Sequence, residues 1–371
     1  MKKSFIFIIF FFSLLSHSLA EVNELAVLQN FLKESNAKGI TNAEQLGITN
    51  LSDPSIWQDI VWDGSHFIAI RWHKKHLTGD LNISGFQELR ELNLSNNHLL
   101  SLIANNCPNL QIADVSNNDL QELDFSNCTL LKELFCDNNR LTALNILNCT
   151  SLENLDCSYN QLTTLSLSGI NGLVYLNCES NNLNSLSIND LRGLQTILCA
   201  NNNLSQLLLL GCGNLSYLDC SGNQLYNLNV DDVPNLIKID CAWNNLSYID
   251  LSNRYSLTYV VCNNNNLEVL DLTNCPNLTY LNCENNELSQ VILAGDNALY
   301  NYNDFPPSMP GDFGPIPYSA PNFNPPPTHF TNKNPKIPAA KNNSFDKTTM
   351  NKTPTISSFG KIKQVRWGKQ R

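Results

Sequence analysis

The sequence predicts a solenoid in which short parallel strands stack coil upon coil around one continuous apolar core. A 21-residue pattern recurs ten times, without insertions, over residues 89–298. Its apolar residues fall on one face of a short strand, because successive strand residues point to opposite faces. One unit of this length cannot bury its own apolar face, so the copies must stack on one another.

The pattern is clearest in three copies, aligned on their leucines and a shared asparagine. They read LRELNLSNNHL from residue 89, LSYLDCSGNQL from residue 215 and LTYLNCENNEL from residue 278. We number repeat positions from the first leucine, so that Leu89 is position 1. Because these copies follow the pattern L-x-x-L-x-L-x-x-N-x-L, the chain resembles the leucine-rich-repeat family over more than half its length. The resemblance implies a horseshoe-shaped solenoid with a parallel β-sheet on its concave face. It also implies a convex side made mostly of extended and turn segments.

Position 9 is asparagine in every copy, where the chain turns inward and would leave backbone groups unpaired. An amide side chain has both donors and an acceptor, so it can satisfy backbone groups of its own and of the adjacent coil. We therefore expect a structural asparagine ladder with no role in function. Its members are Asn97, Asn118, Asn139, Asn160, Asn181, Asn202, Asn223, Asn244, Asn265 and Asn286.

Residues 1–20 have the pattern of a secretory signal peptide. Lys2 and Lys3 precede an apolar run at residues 5–15, and small residues at Ser18 and Ala20 suit cleavage. The apolar run is shorter than the length of about 20 residues that a transmembrane helix needs, and no later stretch is long and apolar enough to cross a membrane. The sequence thus predicts a secreted protein, extracellular or at the cell surface, with no transmembrane segment.

Residues 21–66 are predicted to form a small helical N-terminal cap, which covers the first coil. Leu25, Leu28 and Leu32 have helical spacing, and residues 41–44 suit a capping box at a second short helix. Residues 67–88 follow as an atypical first repeat, in which Lys75 replaces the ladder asparagine.

The chain changes character after the tenth repeat. Residues 299–305 read as a partial closing repeat, and 306–371 as a disordered, proline-rich basic tail that contains 12 of the 16 prolines. Residues 297–371 hold ten Lys and Arg against three Asp and Glu, although the whole chain carries −10. The basic segment 361–371 suits contact with acidic lipid, a polyanion or the acidic solenoid itself, and a solubilising role is the alternative.

The thirteen cysteines fall into two columns of the predicted solenoid. They replace aliphatic residues at inward positions, so we expect buried free thiols, because parallel Cβ vectors do not suit disulfides or a tetrahedral zinc site. The column at position 6 is similar to the cysteine ladder of bacterial internalin-type repeats. Position 6 holds Cys136, Cys157, Cys178, Cys199, Cys220, Cys241, Cys262 and Cys283, and position 19 holds Cys107, Cys128, Cys149, Cys212 and Cys275.

No catalytic or metal-binding motif stands out in the sequence. It has no G-x-S-x-G elbow, phosphate-binding glycine loop or H-E-x-x-H pair, so we expect no enzyme, no cofactor and no metal site. Residues 1–296 carry a net charge of −17, which argues against nucleic acid as a partner of the solenoid.

The candidate binding site lies on the concave face, where positions 3, 5, 7 and 8 point away from the core. Aromatic residues are enriched where interfaces carry their binding energy, and tyrosines gather here in repeats seven to ten. The alternative is that they serve cross-strand packing, since sheets favour tyrosine. The predicted partner-binding residues are Tyr175, Tyr217, Asp219, Lys238, Asp240, Trp243, Tyr259, Val261 and Tyr280.

These features together predict a binding protein that recognises a macromolecule, most simply a protein, on its concave face. The resemblance to internalin-type proteins implies host or cell-surface recognition. Two alternatives use the same face. One is a secreted inhibitor of a foreign hydrolase, and the other is a carbohydrate-binding module whose tyrosine and tryptophan rings stack on sugars.

Overall fold

The computed structural model describes residues 22–293 and a two-residue strand at Val365–Arg366. The predicted signal peptide at 1–20 and closing repeat at 299–305 lie outside the described residues. So does the predicted tail at 306–371, apart from that strand. Within the described residues, no helix is both long and apolar enough to cross a bilayer.

The chain begins with two helices, α1 at Glu24–Lys33 and α2 at Asn42–Leu46, followed by a 3-10 turn at Pro54–Ile56. One face of α1 packs into the core through leucine and phenylalanine side chains. The predicted capping box is present at α2. The backbone N–H of Glu44 donates to Thr41 Oγ1, and the N–H of Thr41 donates to Glu44 Oε2.

A β-hairpin links these helices to the first coil. Strand β1, at Ile60–Trp62, pairs antiparallel with β2, at Phe67–Arg71, and the sequence did not predict β1. Rings cover this end of the core: the centroids of Trp57 and Phe67 are 5.9 Å apart, and those of Trp62 and Phe67 are 4.5 Å apart. The hairpin therefore closes the edge that the first parallel strand would otherwise expose.

Hairpin and repeats together build one twelve-stranded sheet, in which every strand after β2 is parallel to its neighbours. We number all strands of the described residues in chain order. After β1 and β2, the sheet contains β4 (Glu91–Asn93), β6 (Ile112–Asp114), β8 (Glu133–Phe135), β10 (Asn154–Asp156), β11 (Tyr175–Asn177), β12 (Thr196–Leu198), β13 (Tyr217–Asp219), β14 (Lys238–Asp240), β15 (Tyr259–Val261) and β17 (Tyr280–Asn282). Each of these repeat strands covers positions 3 to 5, so equal positions of successive repeats form columns across the sheet.

Two smaller sheets lie on the other side of the coils, at both ends of the solenoid. The first contains β3 (Thr78–Asn82), β5 (His98–Ile103), β7 (Glu122–Asp124) and β9 (Ala143–Asn145). The second contains β16 (Val269–Leu272), β18 (Gln290–Leu293) and β19 (Val365–Arg366), the last antiparallel to β18. The sequence predicted this side only as extended and turn segments. These sheets are an addition to that prediction.

The core runs through the described coils without a break, and nearly all inward leucines are fully buried. All thirteen cysteines are buried, as predicted, and carry free thiols. The asparagine ladder has the expected contacts. Asn118, for example, donates through Nδ2 to the carbonyl oxygen of Leu94 in the preceding coil, and its Oδ1 accepts from the N–H of Leu99.

Candidate functional site

One column of the large sheet brings three tyrosines and a lysine side by side on the concave face. Position 3 is Tyr217 on β13, Lys238 on β14, Tyr259 on β15 and Tyr280 on β17, and each is the register partner of the next. We call these four residues the aromatic row. Neighbouring strands lie about 4.8 Å apart, so the row spans about 15 Å.

The side chains of the aromatic row hold one another in place. The rings of Tyr259 and Tyr280 stack with centroids 4.3 Å apart and planes 7° apart. Lys238 Nζ lies 5.9 Å from the ring centroid of Tyr217 and 5.6 Å from that of Tyr259, within cation–π range of both. The row is therefore preorganised, and a partner would lose little side-chain entropy on binding it.

Trp243 extends the surface at position 8 of the eighth repeat, where the backbone is left-handed. Its φ is 55° and its side chain is 47% exposed. Most repeats place Asn there, and others use Ser or Gly. Asn and Gly tolerate this conformation, whereas a bulky side chain at positive φ is strained. Tyr159 shares the feature in the fourth repeat, with a φ of 51° and 46% exposure. Both aromatics are thus exposed at a strained position.

The predicted site residues at position 5 lie deeper than the sequence suggested. Asp219, Asp240 and Val261 are 1%, 4% and 0% exposed, so they form a floor next to the aromatic row. Asp219 Oδ1 accepts from the N–H and Oγ–H of Ser221, and Asp240 Oδ1 accepts from the N–H of Ala242. A partner could reach these residues only with a group that enters beside the row.

Burial raises the pKa of both floor carboxyls to about 7, and for Asp219 the neighbouring charge of Asp240 adds to this. Burial similarly raises the pKa of Glu179, and that of Asp137 beside Asp156, to about 7. These four carboxyls therefore change protonation near neutral pH instead of near pH 4.

Tyr175, the remaining predicted site residue, lies on β11 at the same position 3. The buried Thr196 on β12 separates it from Tyr217. Tyr175 is therefore on the predicted face but outside the contiguous row.

Sequence reasoning missed two amides at the C-terminal end of the floor. Asn263, at position 7, is 0% exposed, and neither atom of its amide has a hydrogen-bond partner among the described residues. Asn282, the register partner of Val261, is 1% exposed with Nδ2 unpartnered. One signal was available, since position 7 is otherwise Ser, Ala, Asp or Glu in the ten repeats.

Comparison with known proteins gives a family and several solved structures. A family model described as Leucine Rich Repeat matches residues 88–110 and 151–173. The functional domain of InlJ from Listeria monocytogenes, which includes a cysteine ladder, is 25% identical. The match covers 56% of this chain and 55% of that one, at a TM-score of 0.48. This chain thus spans about half the length of that domain.

Two further solved structures are similar. YopM, a leucine-rich effector protein from Yersinia pestis, is 27% identical over 60% of this chain and 68% of that one, with a TM-score of 0.48. An internalin, InlF, from Listeria monocytogenes is 18% identical over 77% of this chain and 95% of that one, with a TM-score of 0.42. No curated protein sequence matches this chain significantly.

Proposed function

Because this chain is a leucine-rich-repeat protein with 21-residue repeats, we propose that it is a binding scaffold whose concave face recognises a protein partner. The observation that carries the proposal is the aromatic row, with its stacked Tyr259 and Tyr280 and its Lys238 between two tyrosine rings. Tyrosine is among the residues that most often dominate binding energy at protein interfaces.

The row combines the features that a binding hot spot needs. Its half-exposed rings offer flat apolar area, and their hydroxyls can bond at the rim of a contact. Packing among the rings limits their rotamers before a partner arrives. Trp243 adds an exposed indole on the coil of Lys238, at a backbone position that disfavours it. Such strain tends to occur at functional sites.

The partner that we propose lies outside the producing cell. The signal-peptide pattern at residues 1–20 supports export, and an exported solenoid meets partners at a cell surface or in the extracellular medium. We place host or cell-surface recognition within this proposal. A scaffold role is supported by the site itself, in which aromatic rings lie next to two buried carboxyls.

Carbohydrate is the second candidate, favoured by the parallel rings of Tyr259 and Tyr280, by the unpartnered amide of Asn263 and by the unpartnered Nδ2 of Asn282. Rings stack on sugar faces, and amides bond hydroxyls. The two candidates differ in the partner alone, since both use the same surface.

The test uses the full chain as bait for extracellular and surface proteins of candidate partner cells, with a glycan array in parallel. A second bait carries Tyr217→Ala and Tyr259→Ala. We expect a protein that the first bait retains and the second loses. An array glycan that requires the same tyrosines would make the partner a carbohydrate. Ligands retained equally by both baits would refute binding at this site.

A further inference from the structure

We propose that the floor of the concave face binds an arginine side chain of the partner, with its guanidinium held between the carboxylates of Asp219 and Asp240. The inference rests on the proposed function and names the chemistry of the partner at that site. Two independent observations support it. One is the carboxyl pair without a cationic partner among the described residues, and the other is the set of unpartnered buried amide atoms of Asn263 and Asn282.

The carboxyl pair lacks a cation. Asp219 and Asp240 are register partners on β13 and β14, so their backbones lie about 4.8 Å apart. Within residues 22–293, no Lys, Arg or His forms an ion pair with either. The nearby Lys238 directs its Nζ over the rings of Tyr217 and Tyr259. Two adjacent buried carboxyls without a counter-charge are unfavourable when ionised.

Each carboxyl keeps one oxygen for a ligand. The internal hydrogen bonds from Ser221 and Ala242 all end on Oδ1 of Asp219 and Asp240. The Oδ2 atoms of Asp219 and Asp240 accept no hydrogen bond from the part of the chain that the structure describes. Neither atom is among the completely buried polar atoms that lack a partner. Two acceptors without a hydrogen-bond donor thus lie on adjacent strands at the same register position.

The amides form the second observation, because the sheet register places them next to the same floor. Side chains at positions 5 and 7 of one coil are neighbours, as the 2.7 Å contact between Ser221 Oγ and Asp219 Oδ1 demonstrates. By the same geometry Asn263 lies beside Val261, whose register partners are Asp240 and Asn282. An orphaned buried polar group costs about 1–3 kcal/mol, which a bound ligand with both donors and acceptors would recover.

An arginine residue can bind both the carboxyl pair and the unpartnered amide atoms of this floor. Its planar guanidinium has five donors in a fork that can bridge two carboxylates, and its flat face stacks on tyrosine rings. The peptide group of the same residue has an N–H for Asn263 Oδ1 and a carbonyl oxygen for Nδ2 of Asn263 or Asn282. A lysine ammonium is a compact point charge that cannot bridge the pair in the same planar way.

Protonation would control this binding. The pKa of both carboxyls is raised to about 7, so they are largely neutral at lower pH and charged at higher pH. The other titratable groups near them are Lys238, the phenol of Tyr280 and Glu179, whose own pKa is raised by burial and by the charge of Asp219. Because a cation favours the ionised pair, arginine should bind more tightly at about pH 8 than at about pH 6.

The test titrates the full chain with the peptide acetyl-Gly-Gly-Arg-Gly-Gly-amide, and with analogues that carry citrulline or lysine in place of arginine. Citrulline keeps the shape and removes the charge. Binding is followed by NMR at about pH 8 and about pH 6. The test variant carries Asp219→Asn and Asp240→Asn, which remove charge repulsion and should not impair folding. The matched control is Asp114→Asn, at the same position 5, whose Oδ1 also accepts from a serine two residues on.

We expect saturable binding of the arginine peptide with a Kd of about 1 mM or tighter, and about tenfold weaker binding of the citrulline and lysine peptides. Asp219→Asn/Asp240→Asn should reduce affinity by about tenfold, whereas Asp114→Asn should not. Equal binding of citrulline, absence of saturable binding, or insensitivity to the double variant would overturn the inference. The proposed function would survive those results if a captured partner still required Tyr217 and Tyr259.

Discussion

At the scale of single residues, Trp243 occupies a backbone position that disfavours its bulky side chain, which indicates a role in binding instead of stability. It occupies a left-handed position that asparagine fills in six of the ten repeats. A β-carbon with a bulky group there is strained, and about 1–2 kcal/mol is the usual penalty of this region relative to a right-handed conformation. Asn reduces that penalty through local hydrogen bonding.

Trp243→Asn should therefore raise the free energy of unfolding by about 1 kcal/mol and weaken binding of the partner. Denaturant unfolding followed by tyrosine fluorescence measures the first quantity. Asn264→Ala tests the same backbone position in the next repeat, where φ is 55°, and should lower stability. If Trp243→Asn destabilises the chain instead, the indole contributes packing and its position carries no functional signal.

The buried carboxyls predict a pH dependence of stability. A pKa near 7 for Asp219 and Asp240, against about 4 in the unfolded chain, means that the folded state binds more protons between those values. The contribution of these two carboxyls to stability therefore falls as pH rises from about 4 to about 7, and it is greatest below that window.

We expect the melting temperature to drop by several degrees between about pH 5 and pH 8, and to drop less in Asp219→Asn/Asp240→Asn. The slope will not vanish, because Glu179 and Asp137 retain raised pKa values. Calorimetry at several pH values measures it. A wild-type stability that rises steadily across the same window would contradict the assigned burial of these carboxyls.

For single residues, the sequence predicted which face of the sheet a side chain lies on better than how deeply that side chain is buried. Repeat position alone placed Tyr217, Lys238, Tyr259 and Tyr280 in one column, because a fixed 21-residue period fixes register. The burial of Asp219 and Asp240 was not predictable in this way. It depends on how far neighbouring side chains extend over the floor, which periodicity does not encode.

At the scale of structural elements, the asparagine ladder is the device that joins one coil to the next. Asn202 donates through Nδ2 to the carbonyl oxygens of Cys178 and Cys199, at 3.0 and 3.2 Å. Its Oδ1 accepts from the N–H of Leu183 at 2.9 Å. Loss of this amide would leave several buried backbone groups of two coils without partners.

Asn202→Ala should therefore lower the free energy of unfolding by about 3 kcal/mol or more, since each orphaned group costs about 1–3 kcal/mol. The exposed neighbour Asn203 supplies a matched control, and Asn203→Ala should change stability by less than about 0.5 kcal/mol. Equal effects of the two variants in urea unfolding would show that the ladder hydrogen bonds do not hold the coils together.

The repeat pattern did not predict the strands of the two smaller sheets on the opposite side. Inward apolar residues recur there in every coil, yet among the described residues parallel strands form on this side only at β3, β5, β7 and β9 and at β16 and β18. Between them an isolated bridge joins Ser187 and Leu208. A constant repeat pattern therefore does not reveal which coils form strands on this side.

At the scale of the whole molecule, the free thiols form one system along the core. Eight occupy the inward position 6, and five at position 19 lie near carbonyl oxygens of the preceding coil, as Cys275 Sγ does at 3.0 Å from Leu251 O. Burial raises the pKa of the Cys149 thiol to about 11 and that of Cys136 well above its usual range. Little thiolate is then present at these two cysteines, so their disulfide exchange is slow.

Thiol titration in denaturant without reductant should accordingly find most of the thirteen cysteines free, even in protein recovered from an oxidising medium. Labelling before denaturation is the control, and it should modify few of them because the folded core shields the sulfur atoms. Recovery of nearly all thiols as disulfides would contradict the buried-ladder description.

The aromatic row is the proposed binding surface, and one comparison of affinities tests this proposal directly. The Kd for the captured partner is measured for wild type, Tyr217→Ala/Tyr259→Ala and the control Tyr226→Ala/Tyr255→Ala. Tyr226 and Tyr255 are exposed tyrosines outside positions 3, 5, 7 and 8. We expect the row variant to lose about 2–6 kcal/mol of binding while it stays folded, and the control to bind like wild type. Unchanged affinity in a folded row variant would contradict the central claim.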